Sequence, residues 1–150
     1  MILLGVDIGG SSIKGAPVDT AAGRLAAPAI ALPTPQPADP ASVAAVARDL
    51  AGRFQTTGPV GFGLPSVVID GRVYTAANIC HSWIGVDGVQ VLGAALGRPC
   101  VLLNDADAAG LAEMRFGAGR GLGGTVIVLT FGTGIGSAIF VDGVLVPNTE

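Results

Sequence analysis

Two stretches decide how the chain folds: ILLGVDIGGSSIKGAPVDTAAGRL at residues 2–25 and VIVLTFGTGIGSAIFVDGVLV at residues 126–146. Each reads strand, glycine-rich polar turn, strand, turn, strand. In the first copy, Ile2 to Val6 is a continuous apolar run of strand length, and Gly9-Gly10 makes the turn. Ser12 to Val18 then forms a second strand and Arg24 to Leu32 a third, giving a three-stranded meander. In the second copy, the β-branched runs TVIVLT and SAIFV flank a glycine bend, and Asp142-Gly143 supplies a hairpin turn.

The sequence between the copies supplies helices and parallel-type strands. Five of the ten prolines lie between Pro28 and Pro40, an extended connector in which ladder donors are missing. Asp39-Pro40 then pairs a capping carboxylate with a proline at the first helical turn. Val43, Val46, Ala47, Leu50 and Phe54 follow at helical spacing. A short strand is predicted at 60–64 and a hairpin at Val67–Tyr74 around Asp70-Gly71. A helix is predicted at Val89–Leu96, a buried strand at Val101–Leu103, and a helix at Asp105–Phe116 ending at Gly117. This alternation is a mixed α/β layout.

Composition narrows the function classes. Half of the 150 residues are hydrophobic and only 13% are charged, which excludes default disorder. The 24 glycines follow no three-residue period, so the chain is not collagen-like. The net charge is −3, with seven arginines and the single lysine Lys14. Without a basic stripe, nucleic acid is not an expected partner. Cys80 and Cys100 read as reduced thiols of a cytoplasmic protein. His81 is the only histidine, which disfavours a zinc site, and MILLGVDIGG, with no basic n-region and an apolar run broken by Asp7, is not expected to be a secretory signal. The uncharged interval between Arg120 and Asp142 is long enough to span a bilayer, but its glycines and β-branched runs read as two buried strands rather than a membrane helix.

The chemistry concentrates at the turns. Gly132-Thr133-Gly134-Ile135-Gly136 superficially fits a dinucleotide fingerprint, but it is followed by a strand rather than a helix. No Walker loop is present. Strand–turn–strand bends of this kind cradle phosphate: glycine lets the backbone approach an anion, and Ser11, Ser12 and Thr133 add hydroxyls. The alternative for each bend alone is an ordinary tight hairpin; two copies favour phosphate. Asp7 is either a Mg²⁺ ligand acting against a phosphate chain or a turn cap. Lys14 either reaches phosphate oxygens or is a solvated strand residue. In Leu103-Asn104-Asp105-Ala106-Asp107, Asn and Asp are good helix caps. Equally, Asp105 at the carboxyl end of a strand is placed to act as general base, with Asn104 orienting an acceptor hydroxyl. Cys80-His81-Ser82-Trp83 lacks a second catalytic partner, and Trp83 reads as a packing anchor. Asn78 is a substrate contact or a turn residue.

GVDIGGSSIKG at 5–15, LNDADAAGLAE at 103–113 and LTFGTGIGSA at 129–138 resemble, in order and spacing, the ROK (repressor, open reading frame, kinase) family. TPQPADP, TAAN at 75–78, SWIG at 82–85 and PNTE at 147–150 point to its polyphosphate-dependent glucokinases. The resemblance implies an actin-like ATPase, ribonuclease H-like α/β fold with a mixed sheet. Residues 1–120 would form the N-terminal domain and 121–150 the first strands of a truncated second one, left uncovered on both faces. It implies transfer of a terminal phosphoryl group from polyphosphate or ATP, with Mg²⁺, to the 6-hydroxyl of glucose or a similar hexose. Asp105 matches the catalytic base, and Asn104 and Glu150 match sugar-binding positions. Asp7 to Lys14, including Gly9, Gly10, Ser11 and Ser12, matches the first phosphate motif. Thr130 to Gly136, including Gly132, Thr133 and Gly134, matches the second. Pro65-Ser66 departs from the Pro-Gly of many members. A cytoplasmic homodimer with no membrane partner is expected of the full-length protein, and a 150-residue piece is expected to be inactive alone. A sugar-sensing regulator and an inactive kinase remnant are the alternatives.

Overall fold

The computed structural model describes residues 1–132 and 134–149; Thr133 and Glu150 lie outside the described residues. The first meander opens a six-stranded mixed sheet. Strand β1 (Ile2–Ile8) pairs antiparallel with β2 (Ser12–Asp19), Asp7 standing opposite Lys14. On its other side, β1 runs parallel to β5 (Val60–Leu64), which runs parallel to β8 (Cys100–Asn104). The carboxyl ends of three parallel strands therefore share one edge.

The predicted third strand breaks in two. β3 (Arg24–Leu25) pairs with the far end of β2, and β4 (Ile30–Pro33) pairs with its near end, at Ser12 to Gly15. Pro28 lies in the gap, where a residue without an N–H cannot continue the ladder. Part of the proline-rich connector thus becomes an edge strand, the position a sheet leaves to proline.

Strand alternation divides the sheet into two unlike faces. Leu4, Val6 and Ile8 of β1 and Val60, Phe62 and Leu64 of β5 are buried on one face. There they meet α1 (Pro40–Gly52) and α2 (Gly88–Leu96), which contribute Val43, Ala47, Leu50 and Leu92 to the core. Asp39 caps α1 as predicted, accepting from the N–H groups of Ala41 and Ser42 at 3.0 Å each. The Ser42 hydroxyl adds a bond at 2.7 Å and, with those N–H groups, holds the Asp39 carboxyl below the ordinary carboxylate value. Trp83 is fully buried, and its indole N–H donates to the Ala38 carbonyl at 3.0 Å, so the anchor reading holds. The opposite face carries Gly5, Asp7, Gly61 and Gly63.

Between β5 and α2, β6 (Val68–Ile69) and β7 (Arg72–Val73) form the predicted hairpin. Both turn residues have positive φ, 50° at Asp70 and 78° at Gly71, as the tight turn demands. Helix α3 (Asp105–Phe116) follows β8 without a break. The interval that could have been a membrane span is instead β9 (Thr125–Phe131) and β10 (Ile135–Val141), which form a three-stranded antiparallel sheet with β11 (Val144–Val146). Among the described residues, no helix is long and apolar enough to cross a membrane.

This second sheet is not bare on both faces, as the sequence led us to expect. Helix α3 lies against β9 and β10 and buries Ala138 and Phe140 completely. Its outer face remains open, with Phe131 75% and Ile135 73% exposed. The sequence hides this packing because α3 makes its contacts with small residues, Ala106 and Gly110, rather than with a stripe of large apolar ones.

Candidate active site

Both glycine bends reach the edge where β5 and β8 end, and a cleft of about 540 Å³ opens between them. Gly9 and Gly10 form one wall, and Thr130, Gly132, Gly134 and Gly136 form the facing one. Asn78, Asn104 and Asp105 line the same space. Residues as far apart in sequence as Gly9 and Gly136 are thus brought together by the sheet edge and by α3.

The first bend is held from behind. Gly9 N–H donates to the Ser12 carbonyl at 3.0 Å, and the Thr34 hydroxyl donates to the Gly9 carbonyl at 2.6 Å. An added Cβ at Gly10 would stand 3.1 Å from the Asn78 carbonyl, so the bend is glycine where the chain on the other side comes closest. Ser11 and Ser12 stand beside the cleft rather than in its lining; the Ser11 carbonyl accepts from Thr34 N–H at 3.1 Å. In the second bend, Gly132 N–H donates to the Gly134 carbonyl at 2.9 Å. A Cβ at Gly136 would meet Thr130 Oγ1 at 2.6 Å and Ala106 Cβ at 2.9 Å, so that glycine is required by close approach to the start of α3. Thr133 and Glu150, both expected at the site, lie outside the described residues.

Asn104 is buried and caps α3: its Oδ1 accepts from the N–H groups of Ala106 at 2.8 Å and Asp107 at 3.0 Å. Its Nδ2 donates to the Ser66 carbonyl at 3.2 Å. The capping reading is therefore correct for Asn104, and it leaves Asp105, the first helical residue, half-buried at the cleft. Both acidic residues of the first turn, Asp105 and Asp107, sit at the positive end of the helix dipole. Asp107 is buried and accepts from Asn148 N–H at 2.9 Å, while the Asn148 side chain both donates to and accepts from the main chain of Val68.

Asp7 and Lys14 line a second hollow, of about 620 Å³, on the open face of the first sheet. The two hollows share Asp105 and Thr130. Gly63 sits between the carboxylates: a Cβ there would lie 3.6 Å from Asp105 Cβ and 3.8 Å from Asp7 Oδ1. Burial desolvates the Asp7 carboxyl, and the charge of Asp105 repels it, so its pKa is raised; Lys14 opposes the shift. Among the described residues, no cluster of three or more potential metal ligands occurs. Sequence reasoning assigned no role to Thr75, whose hydroxyl accepts from Val67 N–H at 2.8 Å in the lining, or to Thr34 behind the bend. Thr75 does open the TAAN stretch that carried part of the resemblance.

The family model described as ROK family matches residues 3–147. The chain belongs to the ROK family. It is 52% identical over 147 residues to a polyphosphate glucokinase of Mycobacterium tuberculosis, covering 97% of this chain and 56% of that protein. The chain thus spans little more than half the length of that relative, and less than half of the Mycobacterium leprae polyphosphate glucokinase. Among solved structures, an inorganic polyphosphate/ATP-glucomannokinase from Arthrobacter sp. strain KM superposes with a TM-score of 0.96 at 48% identity. That match covers 99% of this chain and 62% of the other. A ROK family glucokinase from Streptomyces griseus, solved with glucose and AMPPNP, gives a TM-score of 0.81 at 33% identity over 97% of this chain and 46% of its own. These likenesses bear out the actin-like ATPase fold expected from the sequence motifs.

Proposed function

We propose that the chain carries the reaction centre of a hexokinase-type kinase that transfers the terminal phosphoryl group of polyphosphate or ATP to the 6-hydroxyl of glucose. The observation that carries this reading is the single cleft shared by two facing glycine bends and the half-buried Asp105 at the head of α3.

In this reading, the bends hold the donor through backbone N–H groups, and Asn78 and Asn104 border the acceptor. Asp105 accepts the proton of the 6-hydroxyl as that oxygen forms its bond to the terminal phosphorus. The bond from phosphorus to the bridging oxygen breaks, and the shortened phosphate chain leaves with the electron pair. Asp7 fits a Mg²⁺ site, because its carboxyl is crowded by a second carboxylate and Mg²⁺ is commonly held by one or two carboxylates, water and phosphate. When bound, the ion would neutralise charge on the donor chain. Lys14, opposite Asp7 in the ladder, would face the same phosphates.

Asp105→Asn in the intact protein that contains this chain tests the assignment. Loss of a positioned base lowers kcat by about 10²–10⁴-fold, and the KM for glucose should change little. Glucose 6-phosphate formation at the unmodified rate would remove Asp105 from the role.

A further inference from the structure

Ser66 follows Pro65 just beyond the end of β5 and lines the cleft beside Asn104 and Asp105. It is only 2% exposed. Its main chain is fully engaged: its N–H donates to the Leu64 carbonyl at 2.8 Å, and its carbonyl accepts from Asn104 Nδ2 at 3.2 Å. The side-chain hydroxyl, in contrast, has no hydrogen-bond partner among the described residues. A buried hydroxyl holds one donor and two acceptor sites, and leaving them unmatched is costly. The other buried orphan, Asp107 Oδ1, is not in the cleft lining, and its twin oxygen is occupied by Asn148.

We infer that Ser66 Oγ binds a hydroxyl of the acceptor sugar and so helps to select the hexose. The chemistry favours an alcohol, because a group that both donates and accepts finds its full complement in another hydroxyl. A phosphate oxygen would only accept. The position agrees, since Ser66 is on the β5–β8 edge with the acceptor-side residues. The inference rests on the sugar-kinase reading and deepens it.

The test is calorimetric binding of glucose and of each monodeoxyglucose to the intact protein, unmodified and as Ser66→Ala and Ser66→Gly. Removing the hydroxyl should weaken glucose binding by about tenfold. One deoxy sugar, the one lacking the partner hydroxyl, should bind the unmodified protein and both variants alike, while the others keep the tenfold difference. Equal affinities for glucose in all three proteins would overturn the inference, as expected if an ordered water satisfies Ser66. Uniform weakening across every sugar would also overturn it, since that marks a structural role. If the unmodified protein binds and phosphorylates no hexose, the sugar-kinase reading itself fails and this inference falls with it; normal phosphorylation with no hydroxyl-specific effect defeats the Ser66 inference alone.

Discussion

Replacing Gly110 with alanine puts a methyl group where helix and sheet leave no room. A Cβ at this position would stand 2.7 Å from Ala138 Cβ and 2.9 Å from the Phe140 ring. Carbon atoms in favourable contact lie about 3.5–4.0 Å apart, so α3 and β10 would have to separate by about 1 Å. Neither neighbour can yield, because Ala138 has no rotamer to change and Phe140 is fully buried. Overpacking of this kind costs about 1–3 kcal/mol. Alanine returns up to about 1 kcal/mol through its better helix propensity, which leaves a net loss of about 1 kcal/mol. Gly52, in α1, is the control: a Cβ there meets nothing within 4 Å, so Gly52→Ala should be neutral to stabilising. Urea unfolding should therefore show a loss for Gly110→Ala and none for Gly52→Ala, and each kcal/mol corresponds to about 2–4 °C in Tm for a chain of this size. A Gly110→Ala variant as stable as Gly52→Ala would refute the claim that α3 and β10 are packed to contact.

The raised Asp7 carboxyl has a pH signature. Because the folded state holds that proton above the ordinary value of 3.8, it binds more protons than the unfolded chain between 3.8 and the raised value, and stability falls as pH rises through that window. Asp7→Asn removes the loss, so its stability advantage in denaturant titrations should grow from acidic pH and then level off; a pH-independent difference would contradict this. Asn148→Ala strips two hydrogen bonds from the main chain of Val68, at 2.9 and 3.0 Å, and should cost about 1–3 kcal/mol in urea unfolding. Asn148→Gly should cost less than Asn148→Ala, because glycine takes the φ of 56° without strain, but should still destabilise because it restores neither bond.

Local pattern was enough wherever a local cause sets the structure. The strand at 60–64 and the helix at 105–116 have the bounds their sequence predicts, because apolar runs and capping side chains act within a few residues. Asp39 and Pro40 mark the start of α1 for the same reason. Long-range pairing is what the sequence conceals. Asn104 reaches Ser66 across 38 positions, and nothing near either residue announces that bond. Alternation along β1 and β2 turns Asp7 and Lys14 onto the open sheet face, beside the glycine-bend cleft rather than within it, a separation that motif spacing alone does not convey. The break in the third strand follows from Pro28, but where the chain would rejoin β2 depends on the whole sheet.

Helix α3 touches the first sheet through Asp105 at Gly63 and the second through Ala106 at Gly136 and Gly110 at Ala138. Small residues meshed this closely behave like gear teeth, resisting slip along the helix. Asp105 and the glycine bend between β9 and β10 therefore ride on one chassis, and the spacing between the proposed base and that bend is set by the close packing at Gly136 and Gly110.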